Sequence, residues 1–440
     1  MGRRSAAWGL ATCLTIALAA PAEADQTAID VPLNAVSSAP TGLESLIRSV
    51  PLNAARRLIQ VGPSRSIKLP SEAAKVARTG DIVEIDADSY VGDVAVWTAD
   101  NLTIRGAGGR PRLFAAGQSA EDKAIWVIKG RNAIIQDIEF AGAWVPAGNG
   151  AGIRAEGANL SVSGCYFHDN QEGILSSIYM LDSKIEIENS EFARDGGNGG
   201  QSHEIYISNI KQLAVRGSYF HEGRVGHLIK SRAQQNLIVA NRITDEATGS
   251  ASYEIDFPNG GLNIVMGNLI EQGGSAQNSS MLANALEGPT NARQQLFVVN
   301  NTFVNDLGRG NFVLIRPPSR VTMINNIFVG SGNVLIGLGH LKNNLLAAGV
   351  GGAPNIEQPL FFTADITEEG TRTAHDAGLF DVERFDYRLR PDSPAIGAGI
   401  DPGSVDGIPL RPAFAYAHPA QAKAVTAKKP IDIGAYQHGG

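Results

Sequence analysis

Cysteine is nearly missing from this sequence: Cys13 and Cys165 are the only two in 440 residues. Cys13 lies in an N-terminal apolar stretch that reads as a cleaved leader, so the mature chain keeps one thiol and no intrachain disulfide. A chain of this length without disulfides needs a large core. Cys165 falls at a core-facing or turn position and reads as a small buried hydrophobe rather than a nucleophile. Long apolar runs are missing too, since none after the leader reaches about 18 residues, and this excludes a membrane span in the mature chain. There is no basic excess: the formal net charge is −7. That argues against a nucleic-acid partner, although a local basic patch can still bind an anionic polymer. Aromatics make up only 6%, which disfavours a groove that holds sugars by stacking alone. The sequence shows no nucleotide-binding glycine loop, no His-Glu-x-x-His, no cysteine-based metal site and no calcium-roll repeat.

What is present is glycine, 50 residues of it, alongside 43% hydrophobic and 18% charged residues. That is a folded composition rich in turns rather than a disordered one. Arg3 and Arg4, the apolar stretch Trp8 to Ala19 and the small residues Ala20, Ala22 and Ala24 have the layout of a secretory leader over residues 1–24. The expected location is therefore outside the cytoplasm, periplasmic or extracellular.

A short phrase repeats: apolar-x-apolar, then Gly or Asn, then often Phe. Its copies start at Leu160, Ile185, Leu213, Leu237, Leu262, Leu296 and Val321, spaced 25, 28, 24, 25, 34 and 25 residues. Leu102-Thr103-Ile104 and Ala133-Ile134-Ile135 extend the series backwards. A period near 25 with alternating strands fits a parallel β-helix coil of three short strands and three turns. Leucine-rich repeats need a helical leg, and propellers need longer periods. Asparagines after the strands, including Asn189, Asn241, Asn268, Asn300, Asn301, Asn325 and Asn326, suit left-handed turn positions and a stacked asparagine ladder. The expected layout is a leader (1–24), an N-terminal extension (25–66), an all-β right-handed parallel β-helix (67–355) and an irregular C-terminal capping or tail segment (356–440). Residues 71–78, with Ser71 as N-cap, are expected to form a capping helix.

The phrase Thr79-Gly80-Asp81-Ile82-Val83-Glu84-Ile85, the strand-Asn-Phe coils, Ser393-Pro394-Ala395-Ile396-Gly397-Ala398-Gly399 and Asp432-Ile433-Gly434-Ala435-Tyr436 resemble bacterial right-handed β-helix proteins of the pectin-lyase-like superfamily. The resemblance covers roughly residues 66–440. It implies the fold, and a range of activities: polysaccharide lyases, C5-epimerases, hydrolases and others.

The strands that precede each phrase align as Gly152-Ile153-Arg154, Gly173-Ile174-Leu175, Glu204-Ile205-Tyr206, Leu228-Ile229-Lys230, Glu254-Ile255-Asp256 and Phe312-Val313-Leu314. The middle position is always Ile or Val and faces the core, so alternation sends its neighbours outward. Coils about 4.8 Å apart then gather Tyr206, Lys230, Arg232, Glu254 and Asp256 into one sugar-sized patch, with Glu204 beside it and Arg154 and Arg316 further off. β-Elimination on an acidic sugar needs a base at C5 and neutralisation of the neighbouring carboxylate. Lys230, beside Arg232, is the candidate base. Tyr206 is a donor to the leaving oxygen or a platform under a ring. Glu204, Glu254 and Asp256 are candidate oxygen ligands for Ca²⁺, the expected cofactor. His203 and His227 fall in register on successive coils. Either alone is more often a satisfied core histidine, but the pair is a candidate for acid–base work (His227) and substrate contact (His203), with Arg154 and Arg316 as further substrate contacts. The resemblance adds that lyases of this type use a basic residue on such a face.

The leading expectation is an exported, monomeric protein acting on an acidic polysaccharide by lyase-type β-elimination. A C5-epimerase begins with the same proton abstraction. A glycoside hydrolase would use Glu254 and Asp256. A carbohydrate-binding surface protein would use the face without turnover. Lys230 and Asp256 can also simply pair as a cross-strand ladder.

Overall fold

The structure is a computed structural model that describes residues 56–176, 180–347, 366–425 and 430–439. The leader expected at 1–24 lies outside the described residues, as does most of the 25–66 extension. Short strands repeat three to a coil and pair only in parallel along the stack. They build three long sheets of 13, 12 and 10 strands, and each strand's neighbours come from the coils before and after it. This is the parallel β-helix that the 25-residue period called for.

All nine repeat phrases fall in the 13-stranded sheet. The register departs from the sequence alignment at two of them. Leu213 pairs with Asn236, Asn236 with Asn263 and Asn263 with Leu296. In the copies at 237 and 262 the inward residues are therefore Asn236, Ile238, Asn263 and Val265, while Leu237, Val239, Ile264 and Met266 face outward. A strand that is apolar on both faces is buried on both, and a cover for the outer face is present, as described below.

Inside the stack, side chains repeat coil by coil. Phe140, Phe167, Phe192 and Phe220 stack face to face, with centroids 4.7–4.9 Å apart, each ring burial contributing about 2 kcal/mol. Cys165 is fully buried, and burial pushes its thiol up to about 12. At one corner its backbone N–H donates to Ser190 Oγ, Ser190 to Ser218, and Ser218 to Asn241. The line continues as an asparagine ladder through Asn241, Asn268, Asn301, Asn326 and Asn344, with amide-to-amide bonds of 2.9–3.0 Å. Each amide also donates to a carbonyl, as Asn301 does to Val265 O at 2.8 Å, so a buried turn is fully bonded without water. Asn189, Asn300 and Asn325 belong to a different column, one residue earlier, where φ is positive.

The N-terminal end is closed by helix Pro70–Val76. It starts at Leu69 rather than Ser71. Leu69 has no acceptor in its side chain, so Glu72 reaches back to bond the N–H groups of Lys68 and Leu69. The stack itself already begins at Leu58–Val61, which pairs with Ile82–Asp86 inside the stretch expected to be an extension.

The C-terminal segment lies along the side of the stack. Leu410 and its neighbours Ile400, Val405, Ile408 and Phe414 cover Leu237, Val239, Ile264, Met266, Val299 and Ile324. Tyr387, Ala395, Ile433 and Ala435 cover Leu269, Val304, Ile327 and Leu345 on the 12-stranded sheet. The outer asparagines tie it down: Asn300 Nδ2 donates to Asp432 O (2.9 Å), Asn325 to Ile400 O (2.8 Å) and Asn343 to Ala398 O (2.8 Å). Strands Ile366–Glu369 and Arg372–Ala374 still extend the two long sheets. No helix among the described residues is long and apolar enough to cross a membrane.

Candidate active site

The tail clusters contain no outward residue of the ten-stranded sheet. Its outward column runs, partner to partner, through Val96, Val127, Arg154, Leu175, Tyr206, Lys230, Asp256, Ala283, Leu314 and Ile336. Apart from Arg154, the polar groups of this line sit together in its middle. Three consecutive coils supply Tyr206 (strand Ile205–Ile207), Lys230 (His227–Ser231) and Asp256 (Tyr253–Phe257).

These three meet two further groups. Arg232 Nε donates to Tyr206 Oη at 2.8 Å, and its Nη1 donates to Asn259 Oδ1 at 2.8 Å. Arg232 Nη2 and Lys230 Nζ both bond Glu287, at 2.5 and 3.0 Å. Lys230 Nζ lies 3.6 Å from Asp256 Oδ2 and 5.6 Å from the Tyr206 ring centre. The Tyr206 oxygen accepts from Arg232, which leaves the phenol's own O–H to donate elsewhere. Asp256 is 3% exposed. Burial pushes its carboxyl up to about 7, against the pull of Lys230, so it exchanges a proton near neutrality. Partial burial raises Glu287 as well, but its bonds to Arg232 and Lys230 outweigh that and hold it below the usual carboxylate range.

The histidines form a ladder of their own. Glu172 Oε2 accepts the backbone N–H of His203, His203 Nδ1 accepts that of His227, and His227 Nδ1 accepts that of Tyr253. The two rings stack with centroids 4.7 Å apart. Burial lowers both, His227 to about 3, so at neutral pH each is neutral with its remaining proton on Nε2. His227 Nε2 points to Asp256 Oδ2 at 3.5 Å. His227 therefore backs Asp256, and His203 supports the backbone beneath it. Gly226 makes the close stacking feasible: at φ 134°, a Cβ there would lie 1.9 Å from Ser202 O.

Glu204 and Glu254 are a correction. Alternation placed them on the open face beside Asp256, yet both are buried in the interior, at 1% and 0% exposure. The strand makes a corner at this point, and two successive residues turn inward: Leu228 and Ile229 are both core, as are Met281 and Leu282. Glu204 and Glu254 occupy the Leu228 column. Neither carboxylate has a hydrogen-bond partner, and burial holds both far above the carboxylate range. The three residues expected to hold Ca²⁺ are thus split between interior and face. Among the described residues no group of three or more His, Cys, Asp or Glu is arranged to hold a metal ion, so this donor set does not fit the expected ion.

Arg154 lies two coils before Tyr206. Its guanidinium is largely buried, with Nε and Nη1 unpartnered and Glu156 at 4.0 Å; burial lowers its pKa. Arg316 lies three coils beyond Arg232 and donates to Leu286 O at 3.3 Å. These two arginines bracket the central cluster along the face. Sequence reading left Glu287 without a role and did not weigh Asn259. The 34-residue spacing implies an extra loop over this face, but nothing in the sequence says that Glu287 on it reaches back to Lys230 and Arg232.

No family model matches the sequence, and no curated protein matches it. Solved structures do. The crystal structure of pectate lyase Pel9A matches with a TM-score of 0.56 at 13% identity, over 87% of this chain and 97% of that one. The two share the parallel β-helix fold. An alginate lyase from Paenibacillus sp. str. FPU-7 matches with a TM-score of 0.47 at 15% identity, over 64% of this chain and 99% of that one. At 13% identity the pectate lyase match carries the β-helix and its coil stacking, while the roles of side chains rest on the site itself.

Proposed function

We propose that this β-helix protein binds an acidic polysaccharide along the open face of its ten-stranded sheet and cleaves it by β-elimination. The observation that carries the reading is the convergence of Tyr206, Lys230, Arg232 and Asp256, from three successive coils, on the one long sheet whose outward residues the described C-terminal residues do not cluster with. Elimination needs three things at one sugar: loss of the C5 proton, neutralisation of the carboxylate beside it, and a proton for the departing O4. Arg232 supplies positive charge for the carboxylate. Lys230 Nζ is the base, with Asp256 as the neighbour that accepts and returns its proton. The Tyr206 hydroxyl, oriented by Arg232, faces the leaving oxygen. Arg154 and Arg316 bind carboxylates of units further along the chain. A β-helix related in fold to a pectate lyase, on the outside of the cell, fits this substrate class.

The hydrolase alternative loses the carboxylate pair it was built on, because Glu254 lies inside. C5-epimerisation shares the first proton transfer and differs only in where the proton returns. The test is absorbance near 235 nm while the mature protein is incubated with a panel of uronic-acid polymers, with and without Ca²⁺. A rise marks the unsaturated product and supports the lyase. Reducing ends without absorbance would overturn it in favour of hydrolysis. Solvent deuterium at C5 without cleavage would replace it with epimerisation, and binding without any change would leave a carbohydrate-binding protein.

A further inference from the structure

We infer that Glu287 stands in for the carboxylate of the polymer's own sugar, filling the Lys230–Arg232 cradle until a uronate carboxylate displaces it. This rests on the acidic-polysaccharide reading above and adds a determinant of which sugars are admitted. One carboxylate is shared between two cations: Oε1 accepts from Lys230 Nζ at 3.0 Å and Oε2 from Arg232 Nη2 at 2.5 Å. A uronate presents the same planar pair of oxygens, and guanidinium and ammonium donors bind either group by the same charge-assisted bonds.

Glu287 is the member of the cluster that can leave. Its side chain is 47% exposed, against 11% for Lys230 and 19% for Arg232, and Asp256 is buried behind them. Ion pairs this open to solvent are weak and exchangeable. The loop that carries it is nevertheless built to hold it there. The Glu287 N–H donates to Pro258 O at 3.1 Å. At the loop's foot, buried Asn291 donates to Gly260 O (2.9 Å) and Ala233 O (3.0 Å) and accepts from Gln234 (2.7 Å). Displacement therefore asks only for side-chain rotation, with the backbone in place. The loop belongs to the one interval that exceeds the coil period by about nine residues, 34 against 25, so the coil does not need it to close.

The consequence is selectivity by exchange. A sugar with a free carboxylate replaces one anion by another, and the two cations stay matched. A neutral or esterified unit would strand them or leave Glu287 in its way, which is discrimination by an unfavourable contact.

The test is calorimetric titration of the full mature protein and of Glu287→Gln and Glu287→Asp with oligomers of galacturonate, mannuronate and guluronate, their methyl esters and a neutral glucan oligomer. Thermal melts confirm folding. Exchange predicts that Glu287→Gln binds one of the acidic oligomers about tenfold tighter. Glu287→Asp stays near the native protein, and esters and neutral oligomers gain little. Equal or weaker acidic binding by a folded Glu287→Gln overturns the exchange and leaves the acidic-polymer reading standing. Tighter binding with no product at 235 nm from any form keeps the exchange and removes the lyase chemistry. No binding by any form overturns both.

Discussion

The same coils present two kinds of outer surface. On the 13- and 12-stranded sheets many outward residues from about 237 onward are apolar, with Leu237, Ile264, Met266 and Ile327 buried beneath the C-terminal segment. On the ten-stranded sheet the equivalent column carries Tyr206, Lys230 and Asp256, which belong to neither cluster formed with the described C-terminal residues. The backbone is the same in both, and only the outward side chains differ. Where the chain returns to cover a face, burial of apolar area selects Leu, Ile and Met. Where it does not, charges survive on the sheet and can be put to chemistry. The comparison separates residues that hold the molecule together from residues free to serve a substrate.

The largest effect expected from breaking this division is chemical. Lys230→Ala should lower turnover on the responsive polymer by roughly 10²–10⁴-fold with an unchanged melting curve, as followed at 235 nm. A folded Lys230→Ala protein with near-native rates would return the Lys230–Asp256 pair to a plain cross-strand ladder. Next comes a matched pair of truncations read by denaturant unfolding. Ile264→Ala, under the tail, should cost about 2–4 kcal/mol. Leu314→Ala, half-buried on the ten-stranded face, should cost about 1 kcal/mol. Similar losses would mean that the open face is covered in solution.

The smallest effect concerns the interior carboxyls. Glu254 is kept neutral by burial, whereas in the unfolded chain it ionises from about pH 4. Its raised folded-state pKa favours folding most below pH 4, and that contribution is lost as pH rises. Glu254→Gln removes the ionisation, so the variant should match the native protein near pH 4 and exceed it by roughly 1 kcal/mol at pH 5, at about 1.4 kcal/mol per further pH unit. Equal stability at both pH values would indicate that Glu254 finds a partner inside the stack.

Much of the fold was legible because its causes are periodic. The 25-residue spacing and the Asn and Phe positions follow from stacking one coil on the next. The outward column of the candidate site was legible for the same reason: Ile205, Ile229 and Ile255 fix the parity that turns Tyr206, Lys230 and Asp256 outward. Alternation failed where the strand turns a corner. There Glu204 and Glu254 follow Leu228 inward, and a rule about pleats has no term for a bend. It also slipped by one residue at 237 and 262, because strands apolar on both faces carry no parity signal. Glu287 was hidden for another reason: its place depends on Asn291 and Pro258 anchoring a loop, and no local pattern encodes that.

The most direct test of the division between the faces is a crystal of Lys230→Ala soaked with the acidic oligomer that the native protein binds best. The account predicts sugar density along the ten-stranded sheet between Arg154 and Arg316, with a carboxylate against Arg232. Sugar seated on the tail-covered sheets or at an end of the stack, with this face bare, would contradict it.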